Sequence, residues 1–195
     1  MKKLFALLLA FALLLTFAAC GKQSTNTDDE TAQTAAPAAA YEKTPVFTDV
    51  LPMAFTGVRL YQMQPVATTD EPDVSGKTVF LQCLVNANAD NGLGYPAGAF
   101  VPGLLIEFEI LDAKGRVAQA GRFQPLNAFD GPCYGANLSI KSGGTYSIRL
   151  VMHSPQKSGY GLITDPKAGP EKTFADWFGD GSVTYTSPEW TFQQP

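Results

Sequence analysis

An all-β domain, an immunoglobulin-like antiparallel β-sandwich, is the fold this sequence predicts, and three observations predict it. Residues 104–111 alternate Leu104, Ile106, Phe108 and Ile110 with Glu107 and Glu109, the period of a strand with one face in a core and one in water. Runs of this kind recur about seven times after residue 41, separated by Gly, Pro, Asn and Asp turn formers at near-regular intervals. No amphipathic stretch of helical length appears among them. A small closed barrel is the alternative arrangement for the same pattern.

The chain has 195 residues, 45% hydrophobic and 16% charged, which suits one globular domain with an additional segment at one end. Residues 1–19 are that segment. Lys2 and Lys3 precede an apolar run that only Thr16 interrupts, and the run closes on Ala18, Ala19 and Cys20. It is too short for a comfortable membrane span and ends in small residues, as a cleaved secretory signal does. Its end resembles the lipobox of a bacterial lipoprotein, with Phe17 at the place usually held by leucine. That resemblance implies that Cys20 becomes the mature N-terminus, carries acyl chains of the palmitate class and anchors the protein to the outer side of a bacterial membrane. Residues 20–40 then form a tether of Ser, Thr, Asn, Asp, Glu, Gln and Ala without an aromatic residue, too polar to offset the entropy of ordering. The folded domain is expected over residues 41–195.

Within it, strands are expected at residues 55–66, 78–89 and 104–111. Asp112, Ala113, Lys114 and Gly115 turn the chain into a returning strand at 116–126. In the stretch Asp130-Gly131-Pro132-Cys133-Tyr134-Gly135-Ala136-Asn137, two glycines and a proline predict a sharp turn that aims Cys133, followed by a short strand over 137–140. Lys141, Ser142, Gly143 and Gly144 lead into a strand at 145–153, where Tyr146, Ile148, Leu150 and Met152 share a face. A last strand is expected at 182–192, anchored by Trp190. The Gly- and Pro-rich connections at 91–102 and 154–170 are longer than hairpins need, which suits binding loops.

Removal of Lys2 and Lys3 from 14 basic residues leaves 12 against 18 acidic ones, a charge near −6. No basic stripe interrupts that balance, so nucleic acid is excluded as a partner. With a single histidine, His153, and no nucleophile elbow, an enzyme is not expected; a Cys133–His153 thiol and base pair is the sole constellation of that kind. Glu107 and Glu109 sit on a wet strand face, and the Gly-rich loops lack the lysine and helix of a phosphate cradle.

The octet ending in Asn137 closely resembles the Asp-Gly-Pro-His-Tyr-Gly-Ala-Asn signature of the FetP-type periplasmic proteins of ferrous-iron uptake, a family that includes a treponemal metal-binding lipoprotein. Gln64-Pro65-Val66, the Asn, Gly and Pro spacing of residues 91–104, and Ser154-Pro155-Gln156-Lys157-Ser158-Gly159-Tyr160-Gly161 extend the likeness to about residues 61–190. Membership implies an immunoglobulin-like homodimer that binds copper and a second divalent metal and assists an iron permease. The ligand positions implied by the resemblance fall on Phe80, Gln82, Leu126, Cys133 and Ile163. Of these only Cys133 is a strong donor and Gln82 a weak neutral one, whereas copper or another divalent ion needs three or four converging N, S or carboxylate donors. Met152 and His153 are the candidate substitutes. The resemblance also directs residues 80 and 82 towards the pocket of residue 133, and alternation along the strand then turns Cys83 to the opposite face, so no disulfide between Cys83 and Cys133 is expected.

Three readings follow. The first is a non-enzymatic, membrane-anchored accessory or scaffold with a degenerate metal site, working with an iron permease, a metal-binding paralogue or a second copy. The second is an active metal-binding protein with a Cys133-centred site. The third is a surface lipoprotein for a host or small-molecule ligand.

Overall fold

Alternation along residues 104–111 becomes strand geometry in the computed structural model, which describes residues 42–53 and 56–195. The signal segment, Cys20 and the tether lie outside the described residues. Nine strands form: β1 (Thr44–Met53), β2 (Thr56–Met63), β3 (Val79–Ala87), β4 (Leu105–Asp112), β5 (Val117–Ala128), β6 (Gly131–Leu138), β7 (Thr145–His153), β8 (Ser182–Thr186) and β9 (Trp190–Thr191). A 3-10 turn, Pro155–Ser158, and a single-turn helix α1, Phe174–Phe178, complete the elements. No helix among the described residues is long and apolar enough to cross a membrane.

Every ladder between these strands is antiparallel, in the order β1-β2-β3-β6-β5-β4-β7-β8, with β9 on β7. The sheet curls because β5 changes partners halfway. Val117 to Phe123 pair with β4, whereas Gln124 to Ala128 pair with β6. The concave side holds the core: Val79, Leu81, Cys83 and Val85 from β3 meet Ile106, Phe108 and Ile110 from β4 and Ile148, Leu150 and Met152 from β7. Residues two apart thus share the core face, and their neighbours, such as Glu107, face water.

The all-β, antiparallel class agrees with the sequence, and several elements differ in detail. The octet is not a turn followed by a strand. The hairpin bend lies at Phe129 and Asp130, and Gly131 to Leu138 is itself β6, with Pro132 exposed at its outer end. A proline is tolerated at that end of a strand because few ladder bonds depend on it. The expected last strand is broken at Ser187 and Pro188 into β8 and β9, since proline cannot donate to the β7 ladder. Its fully buried anchor is Phe192, while Trp190 is only partly buried and stacks on Tyr146 at 6.1 Å. Helix α1 begins where Asp176 accepts from the backbone N–H of Thr173 at 2.6 Å and from its hydroxyl at 2.8 Å. It buries Phe174, Trp177 and Phe178 against the end of the core, and the Trp177 indole donates to Asn91 O at 2.8 Å.

Candidate functional site

The convex face of β3, β5 and β6 gathers four of the residues singled out in the sequence. On β3 the core-facing residues are Val79, Leu81 and Cys83, which turns Phe80 and Gln82 outward. On β6, Tyr134 points into the core, so Cys133 and Gly135 face the same way as Gln82. Gln82 lies opposite Gly135, and Leu126 of β5 lies opposite Cys133. Although this face is the outer one, Phe80, Gln82 and Cys133 are 5%, 1% and 1% exposed, so the pocket is closed.

Two contacts close it from within. The tip of the Phe80 ring abuts Gly135, where a Cβ would meet its Cζ at 2.2 Å. A side chain at Gly135 and the Phe80 ring therefore cannot share this space. Beside them the Gln82 amide lies near the Cys133 thiol and holds down its titration against the effect of burial. The Gln82 Oε1 is buried with no hydrogen-bond partner, an uncompensated acceptor in an otherwise packed site.

A third group borders the pocket. Lys43 forms a short ion pair with Asp130 and sits 5.9 Å from the Tyr61 ring and 5.7 Å from the Phe129 ring. Tyr61 is the β2 residue opposite Gln82. Burial pushes the Cys133 thiol above its ordinary range; the Gln82 amide and the Lys43 charge pull it down, and Asp130 pushes it up. The protonated thiol is the form this environment favours.

The remaining sequence candidates lie elsewhere. Ile163 is in the loop after the 3-10 turn and is 63% exposed. Met152 is wholly buried in the core, on the side of the sheet to which Cys83 also points. His153 receives Lys157 Nζ at Nδ1, 2.9 Å away, and pairs through Nε2 with Glu107 Oε2 at 3.1 Å. Cys83 and Cys133 are both free thiols. Burial, then the nearby Cys133, pushes Cys83 up to about 12.

Tyr61, Lys43, Phe129 and Gly135 went unrecognised as pocket residues in the sequence reading. Gly135 was visible only as a turn former, because its role depends on the neighbouring strand. Tyr134 was also missed. Its hydroxyl accepts from Leu104 N at 3.0 Å and donates to Val101 O at 2.8 Å, tying the loop before β4 to the strand that carries Cys133.

These features define an all-β protein, a curled antiparallel sheet with a closed pocket built from three strands. More particularly, the chain belongs to the Fe2+ transport protein family, whose model matches residues 43–193. It is 30% identical over 210 residues to the 34 kDa membrane antigen of Treponema pallidum, covering 97% of this chain and all 100% of that protein. A UPF0423 protein of Brucella abortus is 30% identical over 110 residues, 55% of this chain and 58% of the relative. Among solved structures, a copper-bound variant of Campylobacter jejuni P19 superposes with TM-score 0.64 at 26% identity, covering 78% of this chain and 99% of that one. A copper-bound variant of Escherichia coli FetP gives TM-score 0.63 at 24% identity over 80% and 92%, a likeness of fold.

Proposed function

We propose that this chain is a non-enzymatic, extracytoplasmic accessory protein of iron transport, held to a membrane by lipidated Cys20, in which the family's metal pocket has been rebuilt as an apolar plug. Its curled sheet reads as an immunoglobulin-like sandwich in which β5 serves both layers. The observation that carries the functional reading is the Phe80 ring seated on Gly135. An aromatic ring, Leu126, a protonated thiol and a neutral amide are a poor set for a divalent ion, which would lose its hydration without adequate replacement. Such a protein acts through surfaces, as a scaffold for an iron permease, a metal-binding paralogue or a second copy.

One observation favours a second reading, a Cys133-centred metal site: the unpartnered Gln82 Oε1 is an acceptor next to a thiol. Copper is the ion to test, because the solved relatives are copper-bound. Calorimetric titration of the full chain with copper(II) and manganese(II) separates the two. The plug reading expects binding weaker than micromolar, and a site that appears only when Phe80→His, Gln82→Glu, Leu126→Met and Cys133→His are introduced together. Stoichiometric micromolar binding by the unmodified chain, abolished by Cys133→Ala, selects the second reading. Release of a Cys20→Ala chain from membranes tests the anchor.

A further inference from the structure

Where β5 leaves β6 for β4, the two strands diverge and a cleft of about 350 Å³ opens between them. Its apolar floor includes Phe80, Phe108 and Leu126; Phe108 is reached because Gly121 has no side chain over it, a Cβ there meeting Cζ at 2.9 Å. On one bank, Val117 to Phe123 pair with β4 alone, so their other edge has no strand beside it among the described residues. The facing bank, Ala136 to Leu138, is likewise unpaired with β5. The gap is bridged at one end, where Ser139 N donates to the Gln119 side chain at 3.0 Å.

Exposed strand edges are normally blunted by lysine, proline or a bulge directed outward. The Val117–Phe123 edge carries only one charge, Arg122, and exposes Val117, Ala118, Ala120 and Gly121. Unpaired peptide groups with small side chains beside an apolar floor suit one kind of occupant, an extended peptide backbone. The charges define it further. Arg122 faces Glu107 across the β4 ladder and acts on its carboxylate. On the opposite bank, Glu71 is paired with Lys77 at 2.6 Å and Asn137 at 2.9 Å, whereas Asp70 has no ion-pair partner among the described residues.

We infer that this cleft is a docking groove for an extended segment of a partner protein, which adds a strand to the free edge of β5, places aliphatic side chains on Phe80, Phe108 and Leu126, and sets a basic residue against Asp70. The groove shares Phe80 and Leu126 with the Cys133 pocket, while the free edge of β5 and Asp70 are its own. It supplies the surface through which an accessory protein would engage its partner.

The probe is a fluorescent synthetic heptapeptide that alternates valine and threonine and ends in lysine, titrated into the full-length protein by anisotropy. Saturable binding is expected, with slowed amide exchange over residues 117–123, and a proline at the peptide's centre should abolish it. Asp70→Lys should weaken binding about tenfold through like-charge contact. Ala120→Lys should weaken it by blunting the edge; if that variant fails to fold, Asp70→Lys on the opposite bank still reads the site. Absence of saturable binding, protection at another strand, or affinity unchanged by Asp70→Lys overturns the inference. Concentration-dependent protection of residues 117–123 without peptide would also overturn it, by assigning the edge to a second copy.

Discussion

Substitution of Gly135 by alanine probes the plug directly. The new Cβ would lie 2.2 Å from Cζ of Phe80 and 2.9 and 3.0 Å from two further ring atoms, where 3.4 to 4 Å is ordinary contact. The ring must move by about 1 Å from a position where Phe80 is 5% exposed. Overpacking of this kind costs about 1–3 kcal/mol. Against it stands about 0.4–1 kcal/mol gained because alanine restricts the unfolded chain, a gain available because Gly135 is not among the positive-φ glycines. A net loss of about 1–2 kcal/mol is expected. In a Phe80→Ala background, itself costing about 3–5 kcal/mol, the clash is absent and Gly135→Ala should be neutral or slightly stabilising. Urea unfolding followed by the fluorescence of buried Trp177 gives all four stabilities of this cycle, with a coupling of about 2 kcal/mol expected. Equal effects of Gly135→Ala in both backgrounds would refute the claim that the Phe80 ring fills the space above Gly135.

Two further predictions concern titration. Cys83 is raised by burial from its ordinary 9.0 to about 12, so as pH rises the unfolded chain loses that thiol proton first. Its contribution to stability is full below about 9 and falls towards 12, by up to about 1.4 kcal/mol per pH unit, and Cys83→Ala should flatten this part of the stability profile. Asp112 is held down to about 2 by the Arg116 guanidinium and then by the backbone N–H of Arg116. Its contribution is therefore present above the ordinary 3.8 and lost as pH falls towards 2; a carbon-detected carboxylate titration should show the Asp112 value rise in Arg116→Gln.

How much of this was legible in the sequence depends on whether the information is local. The alternation of Ile106, Phe108 and Ile110 against Glu107 and Glu109 could be read because period two is a property of one strand. So could the opposite orientations of Gln82 and Cys83. The β5 switch could not, since no residue within 117–128 marks the point where one partner is exchanged for another. Helix α1 had a signal that was passed over, Thr173 followed three residues later by Asp176, which is a capping box. The octet was misread because Gly131 and Pro132 favour turns locally, while Gly135 answers to a ring on another strand. Phe192 rather than Trp190 is the buried anchor of the last strand, since an indole N–H needs a partner and that of Trp190 has none.

The pocket residues are mutually dependent, and this bears on how such a site could change during evolution. Phe80 requires glycine at position 135, and with its ring in place no carboxylate at position 82 could gain a cation to offset its burial. Gln82 keeps the size of glutamate without the charge, and its amide lies near the Cys133 thiol, leaving a single acceptor unsatisfied. That cost is tolerable for a neutral group and much higher for an ionised one. Gln82→Glu alone would therefore place a carboxylate among apolar neighbours and be driven towards its protonated form, whereas Gln82→Glu after removal of the ring would face open space. Restoration of a metal site must begin at Phe80, because until that ring leaves, a carboxylate added at position 82 is a buried charge with no cation to offset it.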